Sequence, residues 1–415
     1  MKFNNQVYTF SKKQFGDIAN KISYNPDFSS LVTFSPNRKL SRHRWFYYKE
    51  SFSSDLVKYL LTKLKTNPNE DYILDPFCGV GTTPLTSKML GYNHIGIDIL
   101  PLCTFITKTK LANYNPKKIE EILLGINGKP KSKPEKFGSY YIDKSFDSKV
   151  LSKILNLKQE ISEISNKEAK NLARLALLSI LLPASKAVRD GGFLRFNKEK
   201  IPENVTSLFN KKILMIIEDI KNSKFTKKTD SIILNDDART CNIDKKFSAV
   251  ITSPPYLNRY DYTRLYALEL TFDFVDDKKL KELRYQTIKS HIESKSDHKI
   301  APSELLASNL DELSKAQLTN SQIPNMVLGY YADLYATLKN ISKYAKKNAK
   351  MAFILSSSRF SGIHFEADLI LTQLGENLGL KLDEIIVTKL RGSSAQQARK
   401  YGDVPLRESI VIFKT

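Results

Sequence analysis

Cysteine and histidine are both scarce in this sequence. The chain of 415 residues contains three cysteines and five histidines. The cysteines form no CxxC pair and have no histidine at ligand spacing, which excludes a disulfide framework and argues against a zinc site. The histidines form no HExxH pattern, so we expect no metal in the site. So few cysteines also fit a reducing cytoplasm.

Long apolar runs and acidic residues are scarce as well. The longest apolar stretch, residues 172–184, is interrupted by Arg174 and Pro183 and is shorter than the ~20 residues that span a bilayer. The first residues form no secretory hydrophobic segment, so we expect a cytoplasmic protein without a membrane partner. Lys and Arg number 65 against 44 Asp and Glu, a net charge of +21. This surplus favours a polyanionic partner, and nucleic acid is the first candidate.

Short apolar runs alternate with helix-length segments along much of the chain. An apolar run at 72–74 stops at Asp75 and a glycine pair, and a helix-length segment then leads to a second run at 94–98. This order is typical of a βαβ unit. Further strands are predicted at 231–234, 247–252, 351–356, 384–389 and 409–413, and helices at 330–348 and 366–378. The alternation predicts a doubly wound α/β fold with a mostly parallel sheet and an antiparallel hairpin near the C-terminus.

The glycine pair belongs to the segment Asp75-Pro-Phe-Cys-Gly79-Val-Gly81-Thr-Thr83. Glycines between a strand and a helix let backbone amides approach a ligand closely. The lysine of a P-loop and the third glycine of a dinucleotide fingerprint are both missing here. Asp98 ends the next predicted strand, where a carboxylate can accept both hydroxyls of a ribose. Taken alone the segment could be an ordinary turn, but with Asp98 it favours a nucleoside ligand without a pyrophosphate.

The predicted strand at 247–252 ends in the segment Ser253-Pro-Pro-Tyr256. Consecutive prolines stop a strand abruptly and leave the carbonyl of Pro254 without a ladder partner. Ser253 and this carbonyl offer two hydrogen-bond acceptors, and Tyr256 offers a ring for stacking. The group matches a planar heterocycle that carries an exocyclic NH2. A plain strand terminator is the alternative, but the pairing with the glycine loop in one sheet favours a site.

Together, the segments 75–83 and 252–256 resemble the AdoMet-binding and catalytic motifs of bacterial DNA methyltransferases that modify exocyclic amines. The resemblance implies a Rossmann-like AdoMet-dependent methyltransferase fold with a mainly helical insertion, AdoMet as methyl donor, no metal, and double-stranded DNA as substrate. By the same resemblance, the cofactor-binding residues are Asp75, Pro76, Phe77, Cys78, Gly79, Gly81, Thr82, Thr83, Asp98 and Asp237, and the catalytic residues are Ser253, Pro254, Pro255 and Tyr256.

The resemblance also implies individual roles. Asp98 would bind the AdoMet ribose, Asp237 the adenine amino group, and Phe77 would lie against the cofactor. Residues 44–52 resemble the motif that closes over the methionine end. Residues 390–394, 396–397 and 406–409 resemble the motifs near the flipped base.

Ser253 bears on the choice of target base. In this family an aspartate at that position is more typical of N6-adenine enzymes, so Ser253 favours N4 of cytosine, with N6 of adenine as the alternative. An RNA guanine-N2 methyltransferase and a non-catalytic DNA-binding protein with a methyltransferase fold are more distant alternatives. The resemblance implies the modification enzyme of a restriction-modification system, with a separate cognate endonuclease acting on the same site.

Two segments do not follow the alternation of strands and helices. Residues 104–230 and 257–327 far exceed the ~2 to 6 residues typical of α/β loops, and a helix-rich stretch at 150–185 makes the first mainly helical. We therefore predict an N-terminal arm with the first part of the AdoMet-binding domain at 1–103, a helical insertion at 104–230, and the catalytic part at 231–415 with the smaller insertion at 257–327.

Target recognition is expected in the insertion 104–230, since no domain follows the final motif. Residues 101–230 contain 26 Lys and Arg against 14 Asp and Glu, the charge expected of a phosphate-binding surface. The candidate phosphate contacts are Lys221, Lys224, Lys227 and Lys228. The candidate base contacts are Arg189 and Arg195, with the segment Tyr260–Tyr266 assisting near the flipped base. Residues 187–195 are also compatible with a simple helix C-cap at the glycine pair.

Overall fold

A twisted eight-stranded sheet forms the centre of the computed structural model, which describes residues 2–3, 6–7, 16–68, 70–129, 136–293, 302–392 and 395–415. The strands are Ile22–Tyr24 (β1), Tyr72–Asp75 (β2), Asn93–Asp98 (β3), Ser231–Asn235 (β4), Phe247–Thr252 (β5), Ala345–Ser356 (β6), Lys381–Arg391 (β7) and Leu406–Lys414 (β8).

The sheet has the order β1-β7-β8-β6-β5-β2-β3-β4. β8 runs antiparallel to β6 and β7, and every other neighbouring pair is parallel. The predicted mostly parallel sheet with an antiparallel hairpin near the C-terminus is therefore confirmed. The order reverses direction between β2 and β5. In open α/β sheets, ligands bind beyond the carboxyl ends of the strands at such a switch point.

Helices cover both faces of this sheet and build the insertions. They are Ser54–Lys63 (α1), Thr82–Leu90 (α2), Pro101–Leu111 (α3), Pro116–Leu124 (α4), Tyr140–Ser145 (α5), Ser148–Ser162 (α6), Lys167–Ile180 (α7), Val205–Asn222 (α8), Tyr262–Leu265 (α9), Ala267–Asp273 (α10), Asp277–Gln286 (α11), Glu304–Lys315 (α12), Ile323–Ser342 (α13), Ala367–Glu376 (α14) and Ala395–Tyr401 (α15). Within the described residues, no helix is both long and apolar enough to cross a membrane.

Side chains alternate between the two faces of the sheet, as the pleat requires. On β5, Ala249 and Ile251 belong to a buried cluster with Leu56 of α1. Val250, between them, belongs to the cluster on the opposite face, with Tyr331 of α13. Both faces of β5 are covered, which explains the apolar run from Ala249 to Ile251 in this strand.

One predicted helix ends earlier than expected. The pattern at 330–348 predicts a single helix, but α13 ends at Ser342 and β6 begins at Ala345. Ala345 pairs with Phe247 of β5 in parallel register. Strand pairing with a neighbour that is distant in sequence therefore overrides the local helical pattern of these residues.

The insertion is mainly helical in its described part, and helices α4, α6, α7 and α8 share one buried cluster. The stretch predicted as helical at 150–185 is two helices, because Asn166 caps α7 by accepting a hydrogen bond from the Ala169 amide at 2.8 Å. The boundary predicted at residue 104 lies inside α3, which packs on β3 and β4. The α/β layer thus extends to Leu111.

The glycine pair after α7 forms a hairpin turn instead of a helix C-cap. Strand Ala187–Asp190 pairs antiparallel with strand Phe193–Phe196, and Gly191 and Gly192 connect them. Gly191 has φ of +58°, a conformation that glycine adopts without steric cost. The helix ends at Ile180, too far upstream for these glycines to cap it.

Candidate active site

A cleft opens at the carboxyl ends of β2, β3, β4 and β5, at the point where the strand order reverses; we call it the switch-point cleft. Ten predicted site residues line it, namely Asp75, Pro76, Phe77, Cys78, Gly79, Thr82, Asp98, Asp237, Ser253 and Pro255. The cleft occupies about 850 Å³ including its mouth. The two motifs that lie far apart in the sequence therefore meet in one place.

The glycine loop is held in shape by short-range hydrogen bonds and packing. The Gly79 amide donates to the Asp98 carboxylate at 2.9 Å, which draws the loop against the end of β3. Gly81 has φ of +84°, and a Cβ there would lie 2.7 Å from the Thr107 side chain of α3. Gly81 thus serves the turn and the packing of α3. Thr83 faces inward and donates to the Ile251 carbonyl at 3.1 Å.

Asp75 connects the glycine loop to the Ser253 turn. Its buried carboxylate accepts hydrogen bonds from the Thr252 hydroxyl at 2.6 Å and the Phe77 amide at 3.1 Å. Burial raises the pKa of Asp75 to about 7, against the opposing effect of the Thr252 hydrogen bond. Because Thr252 immediately precedes Ser253, Asp75 fixes the ends of β2 and β5 relative to each other.

Asp98 keeps acceptor capacity toward the cleft. One carboxylate oxygen accepts from the Gly79 amide, and the other accepts from the Leu100 amide at 2.9 Å. Each oxygen carries two lone pairs, so both can accept a further hydrogen bond. Burial raises the pKa of Asp98 to about 6.

Asp237 lies on the loop after β4 and is clamped by Arg239. The Asp237 carboxylate accepts from Arg239 Nη2 at 2.6 Å and from Arg239 Nε at 2.9 Å. Arg239 also donates to the buried Asp333 of α13 at 2.8 Å and to the Gln286 carbonyl at 2.5 Å. Gln286, Thr287 and Ile288 form a further wall of the cleft. Arg239 and this wall were not predicted from the sequence, because Arg239 contacts Gln286 and Asp333, which lie 47 and 94 residues away along the chain.

Residues of the N-terminal arm close another side of the cleft. Tyr48, Glu50, Ser51 and Phe52 line it, and the hydroxyls of Ser51 and Thr82 lie 2.7 Å apart at the start of α2. Glu50 accepts a hydrogen bond from the Tyr266 hydroxyl at 2.6 Å. Glu50 was not among the predicted site residues, although it stands within the segment 44–52 that resembles the closing motif.

The Ser253 turn lies between the switch-point cleft and a second cavity. Ser253 and Pro255 line the cleft, Pro254 is buried between them, and Tyr256 lines the second cavity. The Tyr256 hydroxyl donates to Glu408 of β8 at 3.0 Å, and burial raises the pKa of Glu408. The Tyr330 hydroxyl donates to the Pro255 carbonyl at 2.8 Å and supports the turn.

The second cavity is basic and polar. Arg259, Arg359, Arg391 and residues 356–358 line it beside Tyr256. Arg391 donates to the Ser356 hydroxyl at 2.7 Å. Of the C-terminal segments singled out in the sequence, residues 390–392 and 406–409 are described; Arg391, Gly392 and Leu406 line this cavity, and Glu408 contacts Tyr256. Ser393, Ser394 and the side chains of Gln396 and Gln397 lie outside the described residues.

The two predicted base-contacting arginines have different surroundings. Arg189 donates to the buried Glu269 at 2.6 Å and lies over the Tyr266 ring, so its guanidinium is engaged inside the protein and is not available to a base edge. Arg195 has a side chain that is 65% exposed and pairs across the hairpin with Asp190. Among the candidate phosphate contacts, Lys221 pairs with Glu120 at 2.6 Å and stays accessible.

Comparison with known proteins identifies the family. The family described as DNA methylase, of the N6/N4 type, matches residues 5–106. The type II methyltransferase M.BsoBI of Geobacillus stearothermophilus is 33% identical over 92% of this chain and 87% of its own length. The chain belongs to the exocyclic-amino DNA methyltransferases of restriction-modification systems. The type II methyltransferase M.AvaI of Nostoc sp. is 28% identical over 99% of this chain and 94% of its own length.

Family membership confirms the predicted fold and activity class. This methyltransferase acts on DNA, and its family implies AdoMet as the methyl donor. The chemistry of the switch-point cleft fits that molecule: it offers carboxylates for hydroxyl and amino groups, the ring of Phe77 and the side chain of Ile288 for a flat base, and Glu50 near the start of α2. Within the described residues, no cluster of three or more Asp, Glu, His or Cys could hold a metal ion.

Proposed function

We propose that this methyltransferase transfers the methyl group of AdoMet to N4 of cytosine in double-stranded DNA, as the site-specific modification enzyme of a restriction-modification system. The observation that carries the proposal is the position of Ser253, which lines the switch-point cleft beside the glycine loop. A neutral hydroxyl stands there in place of the acidic side chain more typical of N6-adenine enzymes. We further propose a cytoplasmic location and a separate cognate endonuclease.

The cleft residues hold the methyl donor in this proposal. AdoMet supplies an electrophilic methyl group on a sulfonium. Asp98 accepts hydrogen bonds from the ribose hydroxyls, with Gly79 and Leu100 fixing its carboxylate. Asp237 accepts from the adenine amino group while Arg239 orients it. The remaining predicted contacts are Asp75, Pro76, Phe77, Cys78, Gly79, Gly81, Thr82 and Thr83, with Gly81 and Thr83 contributing through the shape of the loop.

The Ser253 turn orients the target amine. An exocyclic amine is a weak nucleophile because its lone pair is delocalised into the ring. The Ser253 hydroxyl oxygen and the Pro254 carbonyl oxygen each accept a hydrogen bond from one N–H of the amine, which favours a pyramidal nitrogen with its lone pair directed at the methyl group. Pro255 keeps this carbonyl rigid, and the ring of Tyr256 stacks on the base. The rate enhancement then comes mainly from positioning and electrostatics.

The target base must leave the duplex to reach this turn, which costs a few kcal/mol of unstacking. We propose that the basic insertion, residues 104–230, binds the flanking DNA and contributes the sequence recognition. Its surplus of positive charge supports phosphate binding. The segment 260–266 assists, because Tyr262 lines the switch-point cleft and Tyr266 contacts Glu50.

Nucleoside analysis tests this proposal. The purified methyltransferase is incubated with methyl-labelled AdoMet and either unmethylated DNA or RNA, and each nucleic acid is digested to nucleosides. We expect the label in N4-methylcytosine. Label only in N6-methyladenine would refute the cytosine assignment, label in RNA but not in DNA would refute the substrate, and the Ser253→Ala variant serves as the negative control.

A further inference from the structure

The hairpin at residues 187–196 presents an aromatic side chain to solvent. Phe193 follows the Gly191–Gly192 turn and is 49% exposed, whereas the phenylalanines of the sheet, such as Phe247 and Phe353, are buried. Leaving this side chain half exposed forgoes part of the stabilisation of about 1.5 to 3 kcal/mol that full burial would give. The ring is therefore available to a partner outside the chain.

The hairpin is anchored at its base and its turn. Arg189 donates to the buried Glu269 at 2.6 Å and to the Leu265 carbonyl at 3.1 Å. At the turn Gly192 is buried, and a Cβ there would lie 2.8 Å from the Tyr260 ring. The glycine therefore lets the turn sit directly against Tyr260. Phe193 is thus held on a fixed support and does not need to be ordered at binding.

This support is continuous with the Ser253 turn. Tyr260 follows Tyr256 by four residues, so their Cα atoms are at most ~14 Å apart, on the order of the ~12 Å width of a major groove. Beneath the hairpin, Arg189 lies over the Tyr266 ring, which stacks on Tyr48 in the wall of the switch-point cleft. The hairpin that carries Phe193 is therefore connected to the wall of the cleft through Arg189, Tyr266 and Tyr48.

We propose that Phe193 is a wedge that enters the DNA base stack when the target base leaves it. Apolar side chains insert between base steps in several protein–DNA complexes, and an aromatic ring that stacks on the bases beside the gap offsets part of the unstacking cost. The exposed Arg195, two residues further along the same strand, lies beside the wedge and offers a positive charge to the phosphates. The inference rests on the proposed function in one respect, since it requires that the target base is flipped.

The test compares two duplexes that contain the recognition site found by sequencing methylated DNA. In one the target base is normally paired, and in the other it lies opposite an abasic site, so that leaving the stack is easier. Single-turnover methyl transfer is measured for wild type, Phe193→Ala and Met89→Ala. Met89 is the control, because it is 39% exposed at the end of α2, outside the insertion and the cleft.

We expect Phe193→Ala to be about 10- to 100-fold slower on the paired duplex, equivalent to about 1.4 to 2.7 kcal/mol. On the abasic duplex it should approach the wild-type rate, Met89→Ala should match wild type on both duplexes, and Phe193→Leu should recover part of the loss. AdoMet affinity should not change in any of these variants.

Equal rates for wild type and Phe193→Ala on the paired duplex would overturn the wedge, as would an equal slowing on both duplexes. The requirement for flipping is checked separately with 2-aminopurine at the target position in wild type. A wild-type protein that methylates DNA without a rise in fluorescence would overturn base flipping and the wedge together. A normal rise in both wild type and Phe193→Ala would overturn the wedge alone.

Discussion

The switch-point cleft and the insertion at 104–230 are built from different kinds of contact. In the cleft, Asp75 and Asp98 accept hydrogen bonds from backbone amides two residues further along the chain. In the insertion, Arg189 pairs with Glu269 and Asp219 pairs with Arg44, across 80 and 175 residues respectively. Each loop of the cleft is therefore shaped by contacts within its own motif, and the Asp75–Thr252 hydrogen bond then joins the two motifs across 177 residues. The shape of the insertion depends on long-range ion pairs.

This difference predicts how each region responds to substitution. Changes in the cleft should alter cofactor affinity or methyl transfer and leave the fold intact. Changes at the buried ion pairs of the insertion should mainly lower the free energy of unfolding. Changes at its exposed lysines should alter only the binding of DNA.

The largest effect is expected at Arg189. Arg189→Met leaves Glu269, whose side chain is 2% exposed, buried without its cation, and breaking a buried pair in this way costs about 3 to 5 kcal/mol. Arg195→Met is the matched control, since Arg195 lies on the same hairpin and is 65% exposed. Arg195→Met should lower the free energy of unfolding by less than about 1 kcal/mol. Denaturant unfolding measures both, and equal losses would contradict the distinction between the two arginines.

Ser253→Ala should slow methyl transfer by about 100-fold or more, the scale seen when one preorganised polar group is removed from an active site. AdoMet affinity should change by less than about twofold, because Ser253 faces the target base in the proposed mechanism. Ser314→Ala on the exposed surface of α12 is the control. The prediction fails if Ser253→Ala weakens AdoMet binding and slows transfer to the same extent.

Asp98→Ala should weaken AdoMet binding by about 1.5 to 3 kcal/mol, the range for hydrogen bonds to a charged group. Isothermal titration calorimetry measures the affinity, and the thermal unfolding midpoint shows whether the variant is folded. Asp55→Ala on the exposed face of α1 is the control, because the pair of Asp55 with Lys58 lies at the surface, outside the glycine loop and the Ser253 turn. An unchanged affinity in a folded Asp98→Ala protein would remove Asp98 from the cofactor site.

AdoMet affinity should also depend on pH. Asp98 has a pKa of about 6 in the folded protein, raised by burial from its ordinary value. The ionised form accepts hydroxyl protons at both oxygens, whereas the protonated form has a smaller acceptor capacity. Affinity should therefore be full above pH 7 and fall about tenfold between pH 7 and pH 5. Titrations of Asp98→Asn over the same range should show a flatter profile, and a profile as steep as wild type would assign the dependence to another group.

The smallest effect is expected at the exposed lysines of the insertion. Replacing Lys221, Lys224, Lys227 and Lys228 with glutamine should reduce the slope of log K for DNA against log salt by about 0.9 for each phosphate that a lysine no longer neutralises. AdoMet affinity should stay the same. DNA binding measured at several salt concentrations decides this, and an unchanged slope would place the phosphate-binding surface elsewhere on the protein.

Much of the fold could be predicted from sequence because its signals are local. The apolar runs of β2, β3, β4 and β5 and the glycine turn after β2 are each readable within about ten residues, and the structure has strands with nearly the predicted bounds. The end of α13 was predicted wrongly because pairing of Ala345 with Phe247 decides it. The hairpin at 187–196 was missed because its anchors, Glu269 and Tyr260, lie in another segment.

The sequence by itself determined the family and the two motifs, since the chemistry of each motif is carried by adjacent residues, and the fourteen site residues remain a prediction from those motifs. Only the tertiary structure decided that Glu50 and Gln286–Ile288 complete the cleft. It also decided that Arg239 binds both Asp237 and Asp333. Finally, it placed the Arg189 side chain inside the protein and left Phe193 exposed. Cavity walls and ion-pair partners depend on which distant segments pack together, and no periodicity in a single sequence records that choice.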